Sequence, residues 1–391
     1  FIQKQSLKIY FHNLKFDGMF ILSELFKRGY KHMPNINDTK EDKVFETLIT
    51  DLEVFYCIKI RHVYHSKKPI VTHIWDSFKK LPLSVSKIGK AFGLECAKGE
   101  IDYEKFRPVG YEPTSAEWEY INNDTLIVAQ ALHKQKEKGL DKMTIGADCI
   151  SYYKKLIGEN KFKRMYPSLA YEIDEFCRKS YKGGYVYANP KYINKVLENV
   201  SSYDVNSLYP YVMYTCLLPY GHPVKYNGAP YTSKHYPLFI HHFACKFELK
   251  EGYLPTLQVK GYLLFKDTEY LITSNNNDVE LIMTSVDYEL FLRHYNVWDI
   301  RHFGGYAFQA TQGIFREYIE YWYNIKSTTK DAGERTIAKL YLNNLYGKFG
   351  TSMSKRQKYP YLDDDGVVKM EIQNAEIDDG LYVPVASFIT A

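Results

Sequence analysis

One acid, Asp204, stands in the otherwise uncharged and aromatic-rich run SYDVNSLYPYVM, Ser202–Met213. A continuous apolar run of this kind predicts a buried strand. Such a strand tolerates a carboxylate only where something neutralises it, because stripping an ionised group of water is expensive. Two partners suit a carboxylate at a strand end. Backbone donors are one. A magnesium ion is the other, since it takes a few protein oxygens and keeps waters and phosphate oxygens as its remaining ligands. In the second case Tyr209 follows on the same edge, as a flat wall for a sugar.

The run sits in a chain of 391 residues, which is more than one ordinary domain holds and predicts two or three. A hydrophobic content of 45% supplies sizeable cores. The net charge of +5, from 51 basic and 46 acidic residues, permits a polyanionic partner without demanding one. Cys57, Cys96, Cys149, Cys177, Cys216 and Cys245 are scattered and form no CxxC pair. That pattern argues against a disulfide framework or a structural zinc site and suits a reducing cytosol. No run approaches the ~20 apolar residues that span a bilayer, and no signal-peptide pattern opens the chain. The opening at Phe1 and the close inside VPVASFITA lead to the expectation that sequence is missing at both ends.

Along the chain, LKIYFHNLKFDGMFILSELFKRGY predicts a strand, a polar turn and a helix ending near Gly29. ETLITDLEVFYCIKI and PIVTHIWDSF alternate like sheet strands. TSAEWEYINNDTLIVAQALHKQKEKGL opens with a capping box, Thr114 to Glu117, and predicts one long helix ending at Gly139. YYKKLIGENKFKRMYPS reads as a basic linker. YKGGYVYANP reads as a hinge between two strands, and strands are expected to dominate from there to about Gly252. REYIEYWYNIKSTT and ERTIAKLYLNNLYGKFG predict two antiparallel helices, and YLDDDGVV a hairpin turn.

At about 100° per residue, Arg335, Lys339, Asn343 and Tyr346 share one stripe of the second of those helices, opposite Ile337, Leu340, Tyr341 and Leu345. A solvated face is the plain explanation, although it would more often mix Glu with Lys. A row of cations ending in an aromatic and a Gly also suits a triphosphate with a stacked base. Asn13, Phe16 and Asp17 in HNLKFDG fall at a strand-to-helix junction, where an acid can reach a metal. Tyr120 and Asp124 share a helix face. With 37 tyrosines present, that spacing alone carries almost nothing.

The order of these segments is what is specific. HNLKFDG, YINND, YKGG, DVNSLYP and KLYLNNLYG together resemble the family-B DNA polymerases. They match exonuclease motifs II and III, the inter-domain Tyr-x-Gly-Gly motif, and polymerase motifs A and B in sequence. The resemblance is strongest to the protein-primed polymerases of small phages, the phi-twenty-nine-like group. It extends to FELKEGYLPTLQVK, DSFKKLPL, KGEIDYEKFRPVGY and LLPYGHP, and so covers essentially the whole chain.

The resemblance implies a role for each matching residue. Asp17 and Asp124 match exonuclease metal ligands, Tyr120 the phenol that orients the attacking water, and Lys98 an auxiliary exonuclease lysine. His12, Asn13, Phe16, Phe20, Ser77 and Tyr103 match contacts to a frayed single strand. In DSFKKLPL, Phe78 and Leu83 exchange the family's aromatic and aliphatic positions, which weakens stacking there as an expectation. Tyr181, Gly183 and Gly184 match the template-binding hinge. Asp204, with Val205 beside it, matches the first polymerase metal position. Ser207, Leu208 and Tyr209 match nucleotide contacts, with Tyr209 as the gate against a ribose 2′-hydroxyl. Lys326, Arg335, Lys339, Asn343 and Tyr346 match triphosphate and base contacts, Lys339 with a catalytic role, and Gly347 a DNA contact.

The implied fold is α/β (α+β). An RNase H-like 3′–5′ exonuclease domain at 1–146 is followed by an incomplete palm at 147–215 and 383–391. A first insertion falls at 216–313, fingers at 314–350 and a second insertion at 351–382. The first insertion is expected to help seat the priming protein and duplex, and the second to close round the template for processivity and strand displacement. The implied activity is template-directed DNA synthesis with proofreading, in protein-primed replication of a linear genome. Two magnesium ions per site would support it, with manganese able to substitute. Implied partners are template and primer DNA, deoxynucleotides and a priming terminal protein, bound by a monomer in the host cytoplasm and not in a membrane. The Asp-x-Glu pair of exonuclease motif I is expected before Phe1, and the Tyr-x-Asp-Thr-Asp of motif C and the thumb after Ala391. This span alone is therefore expected to be inactive. A non-catalytic DNA-binding remnant and a lone 3′–5′ nuclease remain as rivals.

Overall fold

The computed structural model describes residues 6–63, 69–95, 99–259, 265–266, 268–352, 356–374 and 380–391. The chain forms two compact units. The first comprises Phe1–Ser151, Trp322–Tyr341 and Ser354–Asp378; the second comprises Tyr152–Tyr321, Leu342–Met353 and Asp379–Ala391.

The first unit is built on a five-stranded mixed sheet of β1 (Lys8–Phe11), β2 (Lys31–His32), β3 (Val44–Ile49), β4 (Phe55–Val63) and β5 (Pro69–Asp76), in the order β1-β5-β4-β3-β2. Strands β3, β4 and β5 are antiparallel neighbours, while β1 joins β5 in parallel. Between β1 and β2 runs helix α1 (Leu14–Lys27), entered through Asn13 in the left-handed region at φ 70°. Asparagine is among the few residues that adopt this conformation at modest cost. Leu14, Leu22 and Leu25 of α1 pack on Phe45, Ile49, Phe55, Ile58 and Ile74 of the sheet. Gly18 lets the helix approach closely, because a Cβ there would stand 3.0 Å from the Phe55 ring. Helix α2 (Val85–Ala91) follows, then α3 (Ser115–Glu137). The expected capping box of α3 is present between Thr114 and Glu117, and the chain leaves the helix through Gly139 at φ 74°.

The basic stretch read as a linker is two helices, α4 (Ile145–Ile157) and α5 (Glu159–Met165). Its aromatics decide this. Tyr153, Phe162 and Tyr166 are buried, while Lys155, Lys161, Lys163 and Arg164 face solvent, so the segment is amphipathic. In the second unit Tyr153 meets Phe315 at 4.9 Å between ring centroids, and Tyr166 meets Phe349 at the same distance. Helices α6 (Tyr171–Arg178) and α7 (Leu208–Thr215) precede an antiparallel sheet of β6 (Leu218–Tyr226), β7 (Leu238–Leu249), β8 (Val279–Thr284) and β9 (Tyr295–Thr311), ordered β6-β9-β7-β8 with α8 (Ser285–His294).

Two further strand expectations fail between α6 and α7. No strand flanks YKGGYVYANP on either side. Nor is the run at Asp204 a buried strand: Tyr203 is 92% and Val205 63% exposed. Among the described residues no strand pairs with 200–206, and without a neighbour to hydrogen-bond, an apolar run gains nothing from extending into a ladder. The chain turns instead at Ser207, left-handed at φ 56°, into α7, whose Pro210 falls in the first turn where its missing N–H is harmless.

The two late helices occur as expected, α9 (Arg316–Thr328) and α10 (Ala332–Phe349). So does the hairpin, β10 (Arg356–Leu362) and β11 (Val368–Asn374), whose turn contains Gly366 at φ 73°. Within the first unit β10 docks beside β3. Gln357 bridges to Thr50, Lys358 pairs with Glu53 at 2.6 Å and Arg356 with Asp51 at 2.9 Å. The apolar tail is a buried helix, α11 (Val383–Thr390).

Candidate active sites

In the first unit the β1–α1 turn is held by one buried carboxylate. Asp76 Oδ1 accepts from the backbone N–H of Asn13 at 3.0 Å and of Phe78 at 2.9 Å. His12 is fixed at both nitrogens, with Nε2 donating to Leu83 O at 2.9 Å and Nδ1 meeting Ser77 Oγ at 3.0 Å. Ser77 is itself fully buried and also donates to Phe11 O at 2.9 Å. It thereby helps to hold His12 in place. Phe78 stays at the site, its ring 5.5 Å from that of His12. Phe16 and Phe20 are 70% and 67% exposed and lie 5.6 Å apart. Two bare phenylalanines at i, i+4 offer an apolar surface for a flat partner. Half-exposed Asp17 lies between them in the first turn of α1. Asp76 and the Leu83 carbonyl were not anticipated, and the DSF of the strand end was the available signal.

The Tyr120 phenol of α3 meets that of Tyr103, from the preceding loop, at 2.6 Å. Burial, then the Tyr103 hydrogen bond, then the neighbouring Asp124 carboxylate, push the Tyr120 phenol well above its ordinary pKa. Lys98 lies outside the described residues.

The second unit gathers residues from three distant segments. The Tyr209 and Tyr346 rings lie 4.3 Å apart at 35°. Burial first, then Tyr209, pushes the Tyr346 phenol up to about 12. Tyr181 is raised by burial and then by the same Tyr209. Gly184 leaves room for this group, since a Cβ there would stand 3.2 Å from the Tyr209 hydroxyl. Arg178, paired with Asp174 at 2.9 Å, donates to Gly350 O at 2.8 Å and Thr351 O at 3.2 Å. It thereby fixes the chain beyond α10 against Tyr181. Asp204, Val205 and Leu208 are exposed next to this cluster in sequence. Tyr181, Gly183, Gly184, Leu208 and Tyr209 line a cleft of about 1400 Å³.

Gly350 and Gly347 make a test of this packing. A Cβ at Gly350 would lie 2.8 Å from the Tyr181 ring, whereas at Gly347 it would meet nothing within 4 Å. Gly350→Ala is expected to lower stability by ~1–3 kcal/mol. Gly347→Ala, exposed on a helix, should lose nothing and gain up to ~1 kcal/mol. Denaturant titration of both variants checks this, and equal losses would contradict the packing.

Along α10, Arg335, Lys339 and Asn343 are exposed and Tyr346 is half-buried, while Ile337, Ala338, Tyr341, Leu342 and Leu345 are buried. Leu340, expected on the buried side, is only partly covered. Arg335 donates to Thr329 O at 3.1 Å, and Lys326 of α9 lies over the Tyr323 ring.

Among the described residues, no three acidic, imidazole or thiolate side chains converge on one point. The acids present, Asp17, Asp124 and Asp204, are hard oxygen donors. They suit a cation such as magnesium or manganese that keeps several non-protein ligands.

A mixed α/β fold with carboxylates, a bare phenylalanine pair and a tyrosine-walled cleft fits a nucleic-acid enzyme. The whole chain, residues 1–391, matches the family described as DNA polymerase type B, organellar and viral, and it belongs to that family. It is 41% identical over its full length to the DNA polymerases of Bacillus phages PZA and phi29, covering 67% of each. Its structure superposes on that of phi29 DNA polymerase complexed with primer-template DNA and incoming nucleotide substrates. The TM-score is 0.91 at 41% identity, over 98% of this chain and 67% of that one. On the binary primer-template complex of the same enzyme the TM-score is 0.90, over 66% of that chain. The chain thus spans about two thirds of the length of these relatives. Family membership points to dependence on divalent metal ions. No helix among the described residues is long and apolar enough to cross a membrane.

Proposed function

We propose that this chain carries template-directed DNA synthesis with 3′–5′ proofreading, serving protein-primed, strand-displacing and processive replication of a linear genome. The observation that carries it is the tyrosine group Tyr181, Tyr209 and Tyr346, gathered around Gly184 from three motif segments distant in sequence. Asp204, with Val205, would hold magnesium for synthesis, and Asp17 with Asp124 for degradation. When bound, the ions would stabilise the attacking and leaving oxygens of phosphoryl transfer.

The chain's own residues supply position and charge. Arg335 offers a fork and Lys326 and Lys339 point charges to a triphosphate. Ser207 and Leu208 flank the nucleotide, Asn343 and Tyr346 face its base, and Tyr209 packs beneath its sugar. Tyr181, Gly183, Gly184 and Gly347 contact the template-primer, while His12, Asn13, Phe16, Phe20 and Tyr103 hold a frayed 3′ end over Tyr120. In this scheme 1–146 is the exonuclease domain, 147–215 with 383–391 palm, 216–313 and 351–382 insertions, and 314–350 fingers. The partners are DNA, deoxynucleotides and a priming protein, in the host cytoplasm.

Primer extension and single-strand degradation, assayed side by side with the intact protein, test the proposal, and absence of templated synthesis would overturn it. The sugar gate has its own test. Tyr209→Val should open space for a 2′-hydroxyl and raise ribonucleotide insertion by ~10–100-fold, the range expected when a site loses steric rejection of a small group. Unchanged discrimination between the two sugars would remove Tyr209 from that role.

A further inference from the structure

Tyr103 is 74% exposed on an irregular loop, yet its hydroxyl meets that of Tyr120 at 2.6 Å. An exposed phenol on a free loop would sample many rotamers, so something must hold the loop. The restraint is Arg107. Its guanidinium donates through Nη2 to Asp102 O at 2.9 Å and through Nη1 to Lys105 O at 3.0 Å. These carbonyls bracket Tyr103 on both sides.

The guanidinium is anchored in turn to Glu117 in the first turn of α3, through Nε at 3.1 Å and Nη2 at 2.8 Å to Oε1. Glu117 is only 8% exposed. Its other oxygen accepts from Tyr111 Oη at 2.7 Å and from the Thr114 N–H at 2.8 Å. Lys105 completes the set, 2.6 Å from Tyr111 Oη and 3.3 Å from Glu117. The Thr114 N–H foremost, then Tyr111, Arg107 and Lys105, hold the Glu117 carboxyl well below the usual range. The capping box needs only Thr114 and Glu117, so Tyr111, Arg107 and Lys105 go beyond what ends a helix.

We propose that Arg107, anchored by Glu117 and Tyr111, is a positioning residue for proofreading: it clamps the 102–111 loop so that Tyr103 is locked onto Tyr120. This rests on the exonuclease assignment above and deepens it. A phenol has one proton to donate and two acceptor positions. Held by Tyr103 on one side and by Asp124 on the other, Tyr120 has its hydroxyl direction fixed before a strand arrives. A water at that oxygen then meets an oriented partner without reorganisation. Lysine could not replace Arg107, because one ammonium on a flexible stem cannot span two carbonyls and a carboxylate in a fixed plane.

The test uses the intact protein with Arg107→Lys, Tyr103→Phe, their double variant, and Thr114→Ala as a control that weakens the helix cap but leaves the fork. Amide hydrogen exchange of residues 102–111 is followed alongside single-strand degradation and primer extension. Arg107→Lys should speed exchange in that segment and slow degradation about tenfold, with extension unchanged. The double variant should be no slower than Tyr103→Phe alone, since both remove one interaction. Thr114→Ala should leave exchange at 102–106 and degradation near wild type. Unchanged exchange in Arg107→Lys, or additive losses in the double variant, would overturn the clamp. If the wild type degrades nothing while exchange behaves as described, the exonuclease assignment fails, and with it the clamp's catalytic purpose, while its structural part stands.

Discussion

Asp204→Ala abolishes nucleotide addition and spares single-strand degradation: that is the expected result with the largest effect. The residue is an exposed acid on an irregular stretch immediately before α7. Removing an exposed side chain of this kind should change stability by no more than about 0.5 kcal/mol. Losing a ligand of a catalytic metal forfeits several kcal/mol of charge stabilisation, or on the order of a thousandfold in rate. The signature is therefore a catalytic loss without a thermal one. Primer extension, degradation and a melting curve on one preparation read all three. Normal extension by the variant would refute the metal-ligand role.

The converse is expected in the first unit. Asp17→Ala and Asp124→Ala should each reduce 3′–5′ degradation by on the order of a thousandfold and leave extension intact. The two differ in collateral effect. Asp17 sits half-exposed between Phe16 and Phe20, so its loss should be silent in stability. Asp124 raises the Tyr120 phenol and so is part of that phenol's surroundings. Asp124→Ala should also free the Tyr120 hydroxyl, visible as a lower phenol pKa by ultraviolet titration against the wild type. Wild-type degradation by either variant would remove that residue from the exonuclease assignment.

What the sequence revealed follows a physical division. Local signals were legible: the Thr114–Glu117 box, the stops at Gly29 and Gly139, the hairpin turn at Gly366 and the polar stripe of α10 all depend on residues within a few positions of one another. The misreadings required partners far along the chain. YYKKLIGENKFKRMYPS looked like a linker because its charges outnumber its aromatics. Tyr153 and Tyr166 are interior only because Phe315 and Phe349 come to meet them. The Asp204 run looked like a strand because apolar content says nothing about whether a ladder is on offer. The bonds of Ser77 to Phe11 and His12 likewise join residues 66 and 65 positions apart. Arg107 lies in KGEIDYEKFRPVGY, but its role was not legible there, since its three partners are two backbone carbonyls and one acid.

The hairpin strand β10 has a bearing on how such a chain comes off the ribosome. Lys358 closes on Glu53 across 305 positions of sequence. At roughly 5–20 residues per second of synthesis, Glu53 emerges some tens of seconds before its partner exists. Through that interval the β3–β4 turn must remain soluble with Asp51 lacking Arg356 and with Glu53 paired only to Lys15 of α1, at 3.1 Å. Charged side chains at the rim of a nascent sheet are well placed for the wait, since they discourage another chain from pairing there, until the cations of β10 arrive and close the edge.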